Sequence, residues 1–262
     1  MAIVNATPDS FYSVSRTDDA DSLERRIADV VAQGATIIDI GGYSSRPGAD
    51  DVPLEEEWRR VDLAVGVARK IAPNVAVSVD TFRSEIVRRT VEKYGSIIVN
   101  DITAGEGDEQ MIATVARFDL PYIAMHMRGT PHTMQSKTEY SDVVAEVTDY
   151  LATKAAELEQ NGVRRENIIL DPGFGFAKSV EQNYALLAGL SSVVELGYPV
   201  LVGLSRKSMI YKVLSSTAEE VLAGTVALNW EALRQGATII RVHDVAEAVQ
   251  IVKVYDKGFR GL

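Results

Sequence analysis

Two segments of this chain are almost identical and lie about 200 residues apart: residues 34–39 read Gly-Ala-Thr-Ile-Ile-Asp, and residues 236–241 read Gly-Ala-Thr-Ile-Ile-Arg. In each, a glycine ends a helical pattern and a short apolar, β-branched run follows. Such an echo is what a repeated helix–glycine–strand unit produces. The chain contains eight apolar runs that predict strands, at residues 3–5, 35–40, 75–80, 96–101, 121–126, 167–171, 199–203 and 236–241.

Helical patterns alternate with these runs. The clearest lie near residues 54–71, 84–94, 108–118, 142–161 and 181–190, and a further helical region is predicted to run from residue 208 to 235. Eight alternations in 262 residues, without a Pro/Gly/Ser-rich linker, predict an α/β fold of the (β/α)8 TIM barrel type, with one domain over residues 1–262. A doubly wound open sheet is the alternative, which the lack of a nucleotide-binding fingerprint disfavours.

Composition limits the partners and the compartment. The net charge of −10 argues against binding nucleic acid through a broad basic face, although a few cations in one cleft can still bind an anionic small molecule. No run of about 18 apolar residues and no basic-then-apolar leader is present, so we expect neither a membrane span nor secretion. The chain has no cysteine, which fits a cytoplasmic location and excludes disulfides and thiolate metal sites.

Polar side chains follow the predicted strands. In a parallel barrel every loop after a strand opens on one face, so these residues can converge although they lie far apart in the chain. They are Asn5, Asp80, Asn100, Asp171, Lys207, Arg241 and His243, with Arg46 in the second loop. Short carboxylates and an amide suit the edge of a nitrogen-rich ring, and Arg and His cations suit a phosphate or carboxylate. Phe11, Met125 and Phe176 offer apolar surface on which a ring can stack.

Each of these signals is weak alone. A strand-end aspartate is often only a turn former, and a Ser-Arg-Lys-Ser run is often a solvated loop. His126 and His132 are more typical of structural or exposed histidines than of ligands. The three histidines are too scattered for a zinc site, so oxygen ligands and magnesium are favoured if a metal binds.

Taken together, the motifs resemble those of one known family, dihydropteroate synthase of folate biosynthesis. They cover nearly the whole chain, at residues 5–11, 39–48, 78–81, 100–102, 125–131, 171–176, 203–208 and 241–245. The resemblance implies a TIM barrel that joins 6-hydroxymethyl-7,8-dihydropterin diphosphate to 4-aminobenzoate and releases pyrophosphate with Mg2+. It also implies a homodimer.

The resemblance further implies roles for individual residues. The catalytic residues would be Asp80, Asp171, Lys207 and Arg241. The pterin would contact Asp80, Asn100, Ile102, Met125, Asp171, Phe176 and Lys207. The diphosphate would contact Asn5, Ser45, Arg46, Arg241 and His243, with Asn5 also binding Mg2+. The 4-aminobenzoate would contact Phe11, Ser45, Arg46, Pro47, Phe176, Lys207 and Ser208.

The family chemistry implied is dissociative: diphosphate leaves first, and the aryl amine then attacks the resulting cation. Mobile loops that carry Phe11 and Arg46 would close over the site and exclude water. The chain departs from the common family pattern in several places, at Ser13, Tyr43, Ser45 and Ala177. Ser13 stands where the family usually has a loop aspartate. The contribution of that aspartate to closing the loop or stabilising the cation is therefore absent, unless Asp9 supplies it.

Two other functions fit parts of the pattern. A pterin-binding methyltransferase barrel of the cobalamin-linked type would share the pterin pocket, but its substrate brings no diphosphate to meet Arg241 and His243. A catalytically silent barrel that binds pterin or a protein is the other alternative, and the altered first loop is its only support.

Overall fold

The computed structural model describes residues 1–6, 16–43 and 51–259, with the side chains of residues 16–20 and 135 left undescribed. Eight strands run through the described residues: β1 (Ala2–Asn5), β2 (Ile37–Gly41), β3 (Ala76–Asp80), β4 (Ile98–Asp101), β5 (Tyr122–Met125), β6 (Ile168–Asp171), β7 (Leu201–Val202) and β8 (Ile239–Ile240). The helices are α1 (Arg16–Ala32), α2 (Leu54–Ile71), α3 (Ser84–Tyr94), α4 (Met111–Phe118), α5 (Val143–Gln160), α6 (Val180–Ala188), α7 (Leu190–Val194), α8 (Ser208–Tyr211), α9 (Leu222–Arg234) and α10 (Val245–Gly258).

The strands form a closed ring. β1 to β6 pair in chain order, each parallel to the next, and β7 pairs parallel to β8. Parallel bridges from Leu170 to Val200 and from Ala2 to Val242 join these two groups at both edges. The fold is therefore the predicted (β/α)8 barrel, and the open-sheet alternative is wrong. In the part of the chain that the structure describes, no helix is long and apolar enough to cross a membrane.

Two apolar layers hold the ring. Inside it, Ile123, Ile169 and Leu201 pack together and fill the barrel. Outside it, the other faces of the strands pack against the helices in one large core that includes Ile38, Val79 and Leu170. Strands that are covered on both faces have to be apolar on both faces, which explains why the predicted strands appear as continuous apolar runs.

The register of the ring aligns the carboxyl ends of the strands. Asn5 pairs with Gly41, Gly41 with Asp80, and Asp80 with Asn100, so these residues form one row across four strands. Met125 pairs with Asp171 in the same way on the far side. We call this end of the ring, with the loops that follow it, the mouth.

One predicted helical region is interrupted. The helical region expected from residue 208 to 235 is two helices, α8 and α9, separated by about ten residues that are not helical. Ser215 lies in this interval with φ at 49°, a conformation that a continuous helix cannot contain. The guanidinium of Arg206 binds the carbonyl oxygens of Ala218 and Glu219 there, at 2.8 and 2.7 Å.

Candidate active site

The centre of the mouth is an ionic cluster around Arg241, which follows β8. Its Nε donates to Oδ2 of Asp39 at 2.6 Å, and its Nη2 donates to Oδ2 of Asp80 at 2.8 Å. Asp39 is fully buried and also accepts from Nδ2 of Asn100 at 3.2 Å. The guanidinium therefore binds the predicted pterin ligand Asp80 directly and is linked to a second one, Asn100, through Asp39.

Asp39 is a charged site residue that the sequence reasoning missed. Its side chain lies two residues inside the end of β2, whereas the candidate residues were sought at or beyond strand ends. Its other carboxylate oxygen, Oδ1, is buried and has no hydrogen-bond partner within the described residues. A buried carboxylate in an otherwise apolar run is itself a signal, because such a charge needs a partner.

Asp80 is unusual in its ionisation. Its pKa is raised to about 7: burial is the largest cause, Arg241 opposes it, and the neighbouring Asp39 adds to it. A single cation, Arg241, faces both carboxyl groups here. Asp80 is thus partly protonated at neutral pH and can either donate or accept a hydrogen bond.

The opposite side of the mouth carries Asp171 and Lys207. Asp171 ends β6 and is buried, and burial raises its pKa while Lys207 lowers it. Lys207 lies in the loop after β7, where its ammonium donates to the carbonyl of Phe174 and lies 5.0 Å from the centre of the Phe176 ring. Burial also lowers the pKa of Lys207 to about 8, although Asp171 acts in the other direction.

An apolar cluster forms the wall beside these charges. Three predicted pterin contacts, Ile102, Met125 and Phe176, belong to it, and the structure brings them together as expected. The same cluster contains three residues that were not predicted as contacts: Met127, Met134 and Ala177. Methionine side chains adapt their shape to a flat ring, so this wall suits a heteroaromatic ligand.

His243, Asn5 and Ser208 are the remaining described residues that were predicted to lie at the mouth. His243 is half-buried after β8, and its backbone N–H donates to the hydroxyl of Ser205 at 3.2 Å. Burial lowers its pKa to about 4, so His243 is neutral at pH 7 rather than the cation expected from the sequence. Asn5 ends β1 and is half-buried, and Ser208 begins α8.

Four predicted contacts lie outside the described residues: Phe11, Ser45, Arg46 and Pro47. The departure Tyr43 is described. Its hydroxyl donates to Asp51 at 3.1 Å, and the Arg83 guanidinium lies 5.5 Å from the centre of its ring. Tyr43 and Asp51 are therefore joined across residues 44–50.

The two other histidines do not belong to the mouth chemistry. His126 is buried behind Met125, and burial lowers its pKa to about 3, so its ring is neutral. His132 lies in the loop that precedes the 3-10 turn Met134–Ser136 and is exposed. These positions agree with the structural interpretation of both residues.

Comparison with known proteins decides the family. A family profile described as "Pterin binding enzyme" matches residues 1–243. The chain is 42% identical over 258 residues to the dihydropteroate synthase of Escherichia coli (strain K12), a match that covers 98% of this chain and 90% of that relative. The chain belongs to the dihydropteroate synthase family.

Solved structures of this family agree with the barrel. The Xanthomonas albilineans dihydropteroate synthase with 4-aminobenzoic acid is 38% identical, with a TM-score of 0.90, and the match covers 100% of this chain and 93% of that chain. The same enzyme in complex with 7,8-dihydropteroate gives 34% identity, a TM-score of 0.86 and the same coverage. Family membership confirms the resemblance drawn from the eight motifs.

Proposed function

We propose that this chain condenses 6-hydroxymethyl-7,8-dihydropterin diphosphate with 4-aminobenzoate to give 7,8-dihydropteroate and pyrophosphate, as a transferase of folate biosynthesis. The observation that carries this function is the ring of short carboxyl and amide groups, Asp80, Asn100 and Asp171, beside Lys207 at the mouth. Relatives that bind 4-aminobenzoic acid and 7,8-dihydropteroate share the fold and about a third or more of the sequence.

The pterin ring is held at its edge and on its face. The amide nitrogen of Asn100 donates to the carboxylate of Asp39. The amide oxygen of Asn100 therefore remains as an acceptor for the N–H groups of the ring. Asp80 and Asp171 supply further acceptors, and Lys207 supplies donors. The wall of Ile102, Met125 and Phe176 covers the ring and removes water from it.

The diphosphate is held by Arg241, His243 and Asn5, with Ser45 and Arg46 as predicted partners. Its carbon–oxygen bond breaks with both electrons going to the diphosphate, and the donors around Arg241 stabilise the charge that develops there. The amine nitrogen of 4-aminobenzoate then forms a bond to the pterin methylene carbon and loses a proton. Ser208 and Phe176 are proposed to contact the incoming arene.

Magnesium is proposed as the cofactor. The described residues contain no group of three His, Cys, Asp or Glu side chains able to hold a metal ion. One amide oxygen of Asn5 together with diphosphate oxygens and waters fits Mg2+, which is commonly bound through few protein ligands and substrate phosphates. When bound, the ion would neutralise charge on the leaving group.

We expect pyrophosphate release that requires both substrates. The test is a coupled pyrophosphate assay with each substrate omitted in turn, together with detection of 7,8-dihydropteroate. Release that needs no 4-aminobenzoate would mean simple hydrolysis, and pterin binding without any release would favour the silent barrel. Methyl transfer would favour the methyltransferase barrel.

We expect His243 to take up a proton when the pterin diphosphate binds. Its pKa of about 4 reflects burial and the nearby Arg241, and a bound anion stabilises the imidazolium and raises that pKa. At about pH 6, calorimetry in MES and in bis-Tris, which differ in ionisation enthalpy, measures the protons bound per ligand.

The His243→Gln variant keeps a hydrogen-bond donor but does not titrate. It should show less proton uptake than the parent with the diphosphate, and the same uptake with the pterin alcohol. Equal uptake by the two proteins with the diphosphate would place His243 away from the anion.

The predicted homodimer and cytoplasmic location stay predictions. Light scattering after size-exclusion chromatography measures the oligomeric state.

A further inference from the structure

A second buried lysine, Lys178, lies behind the mouth and has no part in the function proposed above. Its Nζ lies 2.9 Å from Nδ1 of His126, 2.9 Å from the carbonyl oxygen of Gly173 and 3.0 Å from that of Phe176. An ammonium group has three N–H donors and no acceptor, so these contacts account for all its donors. Because His126 is neutral, its Nδ1 can accept one of them.

The loop that Lys178 binds has a demanding backbone. Gly173, Gly175 and Ala177 all have positive φ, at 69°, 81° and 51°, so the chain turns at every second residue. A Cβ atom at Gly173 would overlap the carbonyl oxygen of His126. Ala177 adopts this left-handed backbone conformation although it has a Cβ atom. A non-glycine residue keeps such a conformation only where the surrounding structure stabilises it.

Lys178 connects two walls of the pterin site. His126 directly follows Met125 at the end of β5, and Gly173 and Phe176 follow Asp171 at the end of β6. The backbone N–H of His126 also donates to the carbonyl oxygen of Asp171 at 2.9 Å. A single ammonium therefore joins the segments that carry Met125, Asp171 and Phe176.

We propose that Lys178 is a positioning residue for pterin binding: it fixes the 171–177 loop against the end of β5, so that Asp171 and Phe176 are in place before the ring arrives. This inference rests on the proposed pterin site. Lys178 itself does not touch the substrate, since its three donors are used by the protein. Burial lowers its pKa to about 7, so the fold holds this charge in an unfavourable environment.

The first test compares two lysine-to-methionine variants. Lys178→Met keeps the length and apolar bulk of the side chain but removes all three donors. Lys154→Met is the matched control, because Lys154 is also buried but pairs with Glu157 at 2.8 Å and Glu106 at 3.4 Å, with neither of them in the mouth.

We expect Lys178→Met to raise the KM for pterin diphosphate, and the Kd for the pterin alcohol, by about tenfold or more, because a misplaced loop loses at least one charged hydrogen bond to the ring. Lys154→Met should leave both constants unchanged. A merely structural role would lower the amount of folded enzyme, and hence apparent kcat, without moving KM or Kd. Unchanged constants in folded Lys178→Met would overturn the proposal.

The second test is chemical rescue, which the absence of cysteine makes specific. Lys178→Cys places a single thiol in the chain, which 2-bromoethylamine converts in denaturant to a close lysine analogue before refolding. We expect this form to recover the parent KM, and the form alkylated with bromoethane, which lacks the ammonium, not to recover it. Equal constants for the two alkylated forms would also overturn the proposal.

A third variant covers a failure to fold. If Lys178→Met does not fold, His126→Phe removes only the Nδ1 contact and keeps an aromatic ring beside Tyr150, whose ring centre lies 4.9 Å away. We expect a several-fold weaker affinity for the pterin alcohol in that variant, and an unchanged affinity would overturn the proposal. Failure of the parent to release pyrophosphate would instead contradict the proposed function, since binding of the pterin alcohol is measured separately.

Discussion

Lys207→Met is expected to lower kcat/KM by at least about a hundredfold while the protein stays as stable as the parent or becomes more stable. The ammonium of Lys207 lies between the carbonyl of Phe174 and the ring of Phe176, on the side of the mouth that carries Asp171. Charged hydrogen bonds contribute roughly 1.5–3 kcal/mol each, and the loss of a contact that strengthens in the transition state adds to that.

The expectation that Lys207→Met does not lower the stability follows from the pKa of Lys207. Burial lowers the pKa of Lys207 from 10.5 to about 8, so the folded state disfavours the charged form. A folded pKa below the unfolded pKa means that the charge lowers the free energy of unfolding at pH values below about 8, and that this effect disappears as the pH rises through 10.5. Methionine removes the charge and retains the side-chain volume.

Urea unfolding at about pH 7 and steady-state kinetics measure the two halves separately. Lys212→Met is the matched control. Lys207 precedes the short helix α8 and Lys212 follows it, but Lys212 is exposed. It should behave as the parent in both assays. A Lys207→Met protein that unfolds at much lower urea, or that retains most of its kcat/KM, would show that Lys207 is structural or idle.

Much of the mouth could be predicted from the sequence because strand ends are visible there. Apolar runs that stop at Asn5, Asp80 and Asp171 indicate both the strand and the residue that faces the mouth, and the parallel register then places those residues in a row. The apolar wall was predicted in part for the same reason. Met127 and Met134 lie in the long loop after β5, whose path no periodic pattern reveals.

The residues that sequence reasoning missed are those whose role depends on burial. Lys178 stands just before Ser179, the cap of α6, where a lysine is usually a solvated residue, and only the folded loop shows its three acceptors. The break between α8 and α9 was missed for a related reason. Arg206 binds carbonyl groups 12 and 13 residues further along the chain, a tertiary contact that overrides local helix propensity.

We expect a second large effect from Asp39→Asn, which should lower the free energy of unfolding by an amount that depends on pH. Asp39 is fully buried and pairs with Arg241 at 2.6 Å, and the removal of one member of a buried ion pair typically costs about 3–5 kcal/mol. Arg241 retains Asp80 at 2.8 Å, so we expect a loss near the lower end of that range at about pH 5.

The loss should become smaller as the pH rises, because Asp39 also raises the pKa of Asp80. A carboxyl whose folded pKa lies above its unfolded value of 3.8 makes the parent less stable as the pH rises from there through about 7. Without the charge of Asp39 that pKa falls, so the stability of Asp39→Asn should depend less on pH in this window.

Urea unfolding at about pH 5 and about pH 7 measures how far the stability difference between the parent and Asp39→Asn decreases with pH. Asp149→Asn serves as the control, because Asp149 is exposed on α5 and loses a similar charge without touching the mouth. A stability difference between Asp39→Asn and the parent that stays constant from about pH 5 to about pH 7, while Asp149→Asn matches the parent, would mean that the charge of Asp39 does not raise the pKa of Asp80. Arg241 would then bind Asp39 as an ordinary buried pair, and Asp39 would have no effect on the ionisation of Asp80.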